Sequence, residues 1–203
     1  MKRLPQKILG VLAAALLLSA PGCAGLTALP AGAAWPADTV SAQTAASESE
    51  SAVDCYFPRA GQDAQKELID VIDSADQTLD MAIYSFTDSE IADAVAACSE
   101  KGVAVRIISD KTQSGNKYQQ KILNRLKEAD IPIKVDTHSG IMHLKVTIAD
   151  GKAATTGSYN YTKSADTEND EVLVVLRDET IAADFEQEFE IMWNDETRFE
   201  DYK

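Results

Sequence analysis

From residue 64 onward the apolar positions change their spacing repeatedly. In 64–75, Leu68, Ile69, Val71 and Ile72 recur at helical intervals. The run TLDMAIYSF at 78–86 is almost continuously apolar and predicts a buried strand. Residues 89–101 return to the helical period, with Ile91, Ala94, Val95 and Cys98 on one stripe and Gly102 as the stop. VAVRIIS at 103–109 predicts a second strand, 118–129 a helix with Ile122, Leu123 and Leu126 inward, and 131–135 a strand that Pro132 puts near an edge. Beyond this point strands dominate. Residues 144–149 and 152–156 flank Asp150-Gly151, a hairpin signal. EVLVVL at 171–176 follows, and 181–193 closes the chain as an amphipathic helix with Phe185, Phe189, Met192 and Trp193 on the core side. Alternating helices and strands predict an α/β fold with a mixed β-sheet flanked by helices. The sequence contains no internal repeat.

The first 53 residues follow another pattern. Lys2, Arg3 and Lys7 precede an apolar run from Ile8 to Ala20, as in a secretory signal. The run is shorter than the ~20 residues a membrane-spanning helix needs. Ala20-Pro21-Gly22-Cys23 resembles a lipoprotein signal in which Cys23 would be lipidated, whereas Ala31-Gly32-Ala33 would suit release of a soluble protein. Residues 1–23 are therefore read as a signal peptide and 24–53, rich in Ala, Ser, Thr and Pro, as a linker or leader. Residues 54–203 remain for one folded domain, exported and either secreted or lipid-anchored outside the cell membrane. Export permits a disulfide between Cys55 and Cys98; the alternative is two separate buried thiols.

The chain has 19 basic and 33 acidic residues, a net charge of −14. Such a field does not draw in a polyanion, so any phosphate-bearing substrate must be held by a local basic site. One segment supplies it. In HLKVTIADGKAATTGSYNYT, His143 and Lys145 are two apart on a strand and share a face; Ser158 and Asn160 are two apart after the return strand. A hairpin would bring an imidazole, an ammonium, a hydroxyl and an amide to one edge, a set suited to a phosphate.

The spacing His-x-Lys, four residues, Asp, six residues, Gly-Ser-x-Asn resembles the motif of the phospholipase D superfamily at His143, Lys145, Asp150, Gly157, Ser158 and Asn160. YSFT at 84–87, GVAVRIISD at 102–110 and the acidic run 168–171 agree with its small single-motif bacterial endonuclease branch. The resemblance implies an α/β/α sandwich and a phosphodiesterase acting through a phosphohistidine. His143 would be the nucleophile, Lys145, Ser158 and Asn160 the phosphate-binding group, and Glu171 a hydrogen-bond acceptor for His143. Asp150 and Gly157 would be structural. The chemistry needs two histidines, and the chain has only His138 and His143. The resemblance therefore implies a homodimer sharing one active site, with His138 an ordinary loop residue. A nucleic acid is the expected substrate and a phospholipid the alternative, since no basic amphipathic helix for membrane docking is evident; a non-catalytic phosphate-binding module is a remote third. No cofactor or metal is implied, because no His/Cys/Asp/Glu set has zinc spacing and 166–171 lacks calcium-loop periodicity. Tyr159 and Tyr161 alternate away from Asn160 and read as core, and Lys111, Lys117, Lys121 and Lys163 as solvated surface.

Overall fold

Runs buried on both faces need a layer of helices on each side, and the computed structural model, which describes residues 51–203, is built that way. Its strands are β1 (Val53–Tyr56), β2 (Thr78–Ile83), β3 (Ala104–Ser109), β4 (Ile133–Asp136), β5 (Lys145–Ala149), β6 (Ala153–Gly157), β7 (Leu173–Leu176) and β8 (Phe199–Asp201). They form one mixed sheet in the order β1-β7-β6-β5-β2-β3-β4-β8. β2, β3 and β4 are parallel, and every other pairing is antiparallel. The helices are α1 (Ala64–Asp73), α2 (Ser89–Glu100), α3 (Lys111–Ser114), α4 (Lys117–Glu128), α5 (Lys163–Thr167) and α6 (Glu179–Trp193).

The side-chain alternation of the strands divides the core in two. Leu79, Met81, Ile83, Val105 and Ile107 pack with α1, α2 and α4 on one face, together with Tyr159 and Tyr161. Ala82, Ile108, Val146 and Ile148 meet Phe189 and Met192 of α6 on the other. Acidic or amide caps start the longer helices: Asp63, Asp88, Asn116 and Asp178 each accept backbone N–H groups of the first turn, which is worth about 1 kcal/mol apiece.

A charged clasp joins α6 to the sheet. Asp80, 1% exposed in mid-β2, is the direct neighbour of Arg106 on β3 and receives two hydrogen bonds from its guanidinium, at 2.6 and 2.8 Å. Arg106 also reaches Glu190 at 2.8 Å and Glu186 at 3.3 Å, and lies over the rings of Phe189 and Trp193.

Several expectations need correction. Cys55 and Cys98 are both free. Cys55 is exposed on β1 at the sheet margin, whereas Cys98 is buried in α2 with its thiol 3.6 Å from the Ile72 carbonyl. By contrast, β4 does lie near an edge of the sheet, with only β8 outside it; Pro132 precedes β4 and its carbonyl accepts from Ile107 N–H. The last long strand begins at Leu173, two residues after Glu171. β1 begins at Val53, one residue inside the segment assigned to the linker. The signal at 1–23, lipidation at Cys23 and nearly all of the 24–53 linker lie outside the described residues.

Candidate active site

The β5–β6 hairpin turns at Asp150 and Gly151 and presents its open end to solvent. Asp150 has φ +54°, and its carboxylate accepts from the backbone amides of Asp76 (3.0 Å), Gln77 (2.8 Å) and Thr78 (2.9 Å). Burial opposes ionisation, but the amides of Thr78, Asp76 and Gln77 and the charge of Lys152 outweigh it and hold the carboxyl below its usual range. Asp150 thus ties the turn to the start of β2. It stands five residues along an extended strand from Lys145, roughly 16 Å away.

At the open end, His143, Lys145, Gly157, Ser158, Asn160, Glu171 and Val172 line one cleft of about 510 Å³. Gly157 ends β6 at φ +129°, and a Cβ there would meet the Val172 carbonyl at 2.2 Å. That close approach brings β6 against the segment before β7. Ser158 and Tyr159 both donate their backbone N–H to Val172 O, and the Val172 N–H returns to Ser158 Oγ at 3.2 Å. The Ser158 hydroxyl is thereby held at the cleft, as is Glu171, one residue before Val172.

Lys145 is 6% exposed. Its ammonium donates to the His143 carbonyl at 2.8 Å and lies 4.9 Å from the centre of the Tyr84 ring. Burial pushes its pKa down, and the charge of Glu171 pulls it part of the way back. The His143 ring is exposed and meets Tyr84 edge-on, with ring centres 4.6 Å apart. Asn160 Oδ1 is buried without a hydrogen-bond partner. Half a turn of the amide would put the Nδ2 donor in its place, the group an anionic oxygen requires.

The expected hydrogen bond between His143 and Glu171 is absent; Glu171 accepts instead from Asn169 Nδ2 at 3.1 Å. His138 lies away from the cleft. Its Nδ1 accepts from Gly140 N–H at 3.1 Å and its Nε2 is 4.0 Å from Asp136. Tyr159 and Tyr161 are buried in the core. Lys163 is exposed at the start of α5, and Lys111 pairs with Glu200 at 3.7 Å. Among the described residues no group of three or more His, Cys, Asp or Glu side chains could hold a metal ion.

Tyr84, in the YSFT segment, also reaches His143 and Lys145, a placement that the sequence pattern did not show. It follows β2 in what looks like one continuous apolar run, and a backbone bond from its N–H to Leu144 O (2.9 Å) sets it beside His143. Its hydroxyl accepts from Gln113 at 3.0 Å. Gln119, fully buried, accepts from Phe86 N–H and donates to Ser109, pinning the segment after β2 to α4 and β3. The signal was a glutamine on the apolar stripe of α4.

Comparison with known proteins identifies the family and the fold. The family model described as "Cardiolipin synthase, PLD-like domain" matches residues 68–193. The chain is 36% identical over 126 residues to a mitochondrial cardiolipin hydrolase of Chlamydomonas reinhardtii, covering 62% of this chain and 56% of that protein. It is 35% identical over 133 residues to a phospholipase D of Rickettsia prowazekii, covering 66% and 63%. It thus spans less than two thirds of the length of these curated relatives. Among solved structures, Nuc of Salmonella typhimurium, described as a phospholipase D family member, superposes with a TM-score of 0.69 at 32% identity, over 74% of this chain and 97% of that one. NucT of Helicobacter pylori gives 0.65 at 30%, over 70% and 94%.

Proposed function

We propose, from the premise that this chain belongs to the phospholipase D superfamily, that it is a phosphodiesterase acting on nucleic acid through a covalent His143 intermediate. The observation that carries this reading is the single cleft in which His143, Lys145, Ser158, Asn160 and Glu171 converge. His143 attacks phosphorus. Lys145 and Asn160 bind the non-bridging oxygens as charge builds on them, and Ser158 supports the same oxygens. A second imidazole protonates the leaving oxygen, and then takes a proton from the water that releases the phosphoryl group. His138 is held elsewhere by Gly140 and Asp136, so the second imidazole is His143 of the partner subunit in a homodimer. The exposed His143, flanked by Ile141 and Leu144 at 54% and 40% exposure, suits a surface that a second copy covers. The signal-like pattern of residues 1–23 supports a reading in which this activity is exported.

Nucleic acid is favoured because the cleft that holds His143, Lys145, Ser158 and Asn160 shares Ser158, Glu171 and Val172 with a second cleft along the surface, a continuation that suits a strand. An apolar cavity of about 240 Å³ lies on the α6 side of the sheet, between Val146, Phe189 and Met192. A phospholipid reading rests on Leu144, which reaches that cavity from the residue next to His143, and on the names of the curated relatives. Purified protein assayed in excess chelator with plasmid DNA, RNA and cardiolipin-containing vesicles separates the two. Cleavage of DNA or RNA that His143→Asn abolishes is the expected result. Vesicle hydrolysis without nucleic-acid cleavage would overturn the substrate assignment.

A further inference from the structure

The catalytic cleft does not end at Ser158. A second cleft, about 540 Å³, shares Ser158, Glu171 and Val172 with it and continues to Phe57, Arg59 and Ala60. We propose that Phe57 and Arg59 form a flanking-nucleotide subsite, in which the Phe57 ring stacks a base and Arg59 binds the phosphate next to the scissile one. The inference rests on the nucleic-acid reading above and deepens it.

Both side chains are displayed rather than packed. Phe57 is 46% exposed, although it is large and apolar. Arg59 is 55% exposed, and its ion pair with Asp170 is loose, 4.0 Å to a carboxylate that is itself 99% exposed. An exposed pair of that kind opens at little cost, so a phosphate can take the guanidinium over. The backbone beneath them is fixed. Pro58–Ala60 is a single 3₁₀ turn, closed by Ala60 N–H to Phe57 O and Gly61 N–H to Pro58 O, with Gly61 at φ +81°. The Phe57 N–H is held by Gln62 Oε1 at 2.8 Å.

A ring for stacking and a fork of donors for a phosphate, side by side on a rigid turn, match the recurring unit of a nucleic-acid strand. They match a lipid less well, because a phospholipid offers one headgroup and then acyl chains rather than a repeating ring-and-phosphate unit. The acidic balance of the chain sharpens the point. Where the overall field repels a polyanion, one well-placed arginine is a large share of what holds it.

The test compares wild type, Phe57→Ala, Arg59→Ala and Arg59→Lys on three probes: a single-stranded oligonucleotide, bis(p-nitrophenyl) phosphate, and cardiolipin-containing vesicles. Each alanine variant should lose about tenfold in kcat/KM on the oligonucleotide and keep wild-type turnover of the small diester, which cannot reach the subsite. The slope of log KM against log salt should shrink by about 0.7 in Arg59→Ala, the share of one phosphate contact on a single strand, and be restored in Arg59→Lys. If wild type cleaves the oligonucleotide and both alanine variants match it, the subsite is refuted and the nucleic-acid reading stands. Equal losses on the oligonucleotide and the small diester would refute it too, by showing a general structural effect. If wild type hydrolyses only vesicles, the nucleic-acid reading fails and the subsite fails with it.

Discussion

At Lys145 burial and charge pull in opposite directions. The ammonium is nearly enclosed, which lowers its pKa, and Glu171 restores part of the loss. A phosphate-binding lysine works only while protonated, so on the proposed mechanism Glu171 would protect the alkaline side of the activity profile. Glu171→Gln should move the alkaline limb of kcat/KM to lower pH and leave the acidic limb in place; an unmoved alkaline limb would show that Glu171 does not act through Lys145. The residue types and spacing of this site were legible from the hairpin pattern, but the shared strand face was not the reason they meet: His143 lies just before β5, and Ser158 and Asn160 lie just after β6. The carboxylate's partner was not legible. Glu171 lies outside β7, in a segment fixed by Val172 against Gly157 and Ser158, and that local geometry gives its hydrogen bond to Asn169. The YSFT segment was legible, but the placement of Tyr84 beside His143 was not, since it depends on pairing with Leu144.

Among the elements, α6 is tied to the sheet through buried charge. Burial first, and the charge of Asp80 second, push the Glu186 carboxyl from its ordinary 4.5 up to about 7, against the opposing pull of Arg106. The groups facing it are Asp80 on β2, Arg106 on β3 and Glu190 on α6 itself. A carboxyl with a raised folded pKa contributes stability that is complete below its unfolded pKa and lost as pH rises through the folded one. Thermal stability should therefore decline between pH 4.5 and about 7 on this account. Glu186→Gln should flatten that decline and raise Tm at pH 8, by about 2–4 °C for each kcal/mol recovered; a pH-dependent melting series reads both. Unchanged curves would show that Glu186 is not the group responsible. The elements themselves were largely readable from periodicity, but the clasp was not. Asp80 and Arg106 sit inside apolar runs 26 positions apart, and only the β2–β3 register makes them neighbours. β8 was missed because three residues with two exposed acids carry no strand pattern.

For the whole molecule, the account requires two copies. One described chain offers the cleft one imidazole, since His138 is held in its own loop. If each site draws on two copies of His143, mixing wild type with equal His143→Asn chains, after subunit exchange, should leave about a quarter of the activity rather than about half. Retention of half would point to self-sufficient protomers. The central claim, that His143 forms a covalent bond to phosphorus, is tested most directly by trapping it. Wild-type protein mixed with an oligonucleotide in excess chelator, stopped within one turnover under alkaline denaturing conditions and digested, should yield a His143-containing peptide carrying the phosphoryl fragment. The same peptide unmodified while product accumulates, with His143→Asn turning over at the wild-type rate, would contradict it.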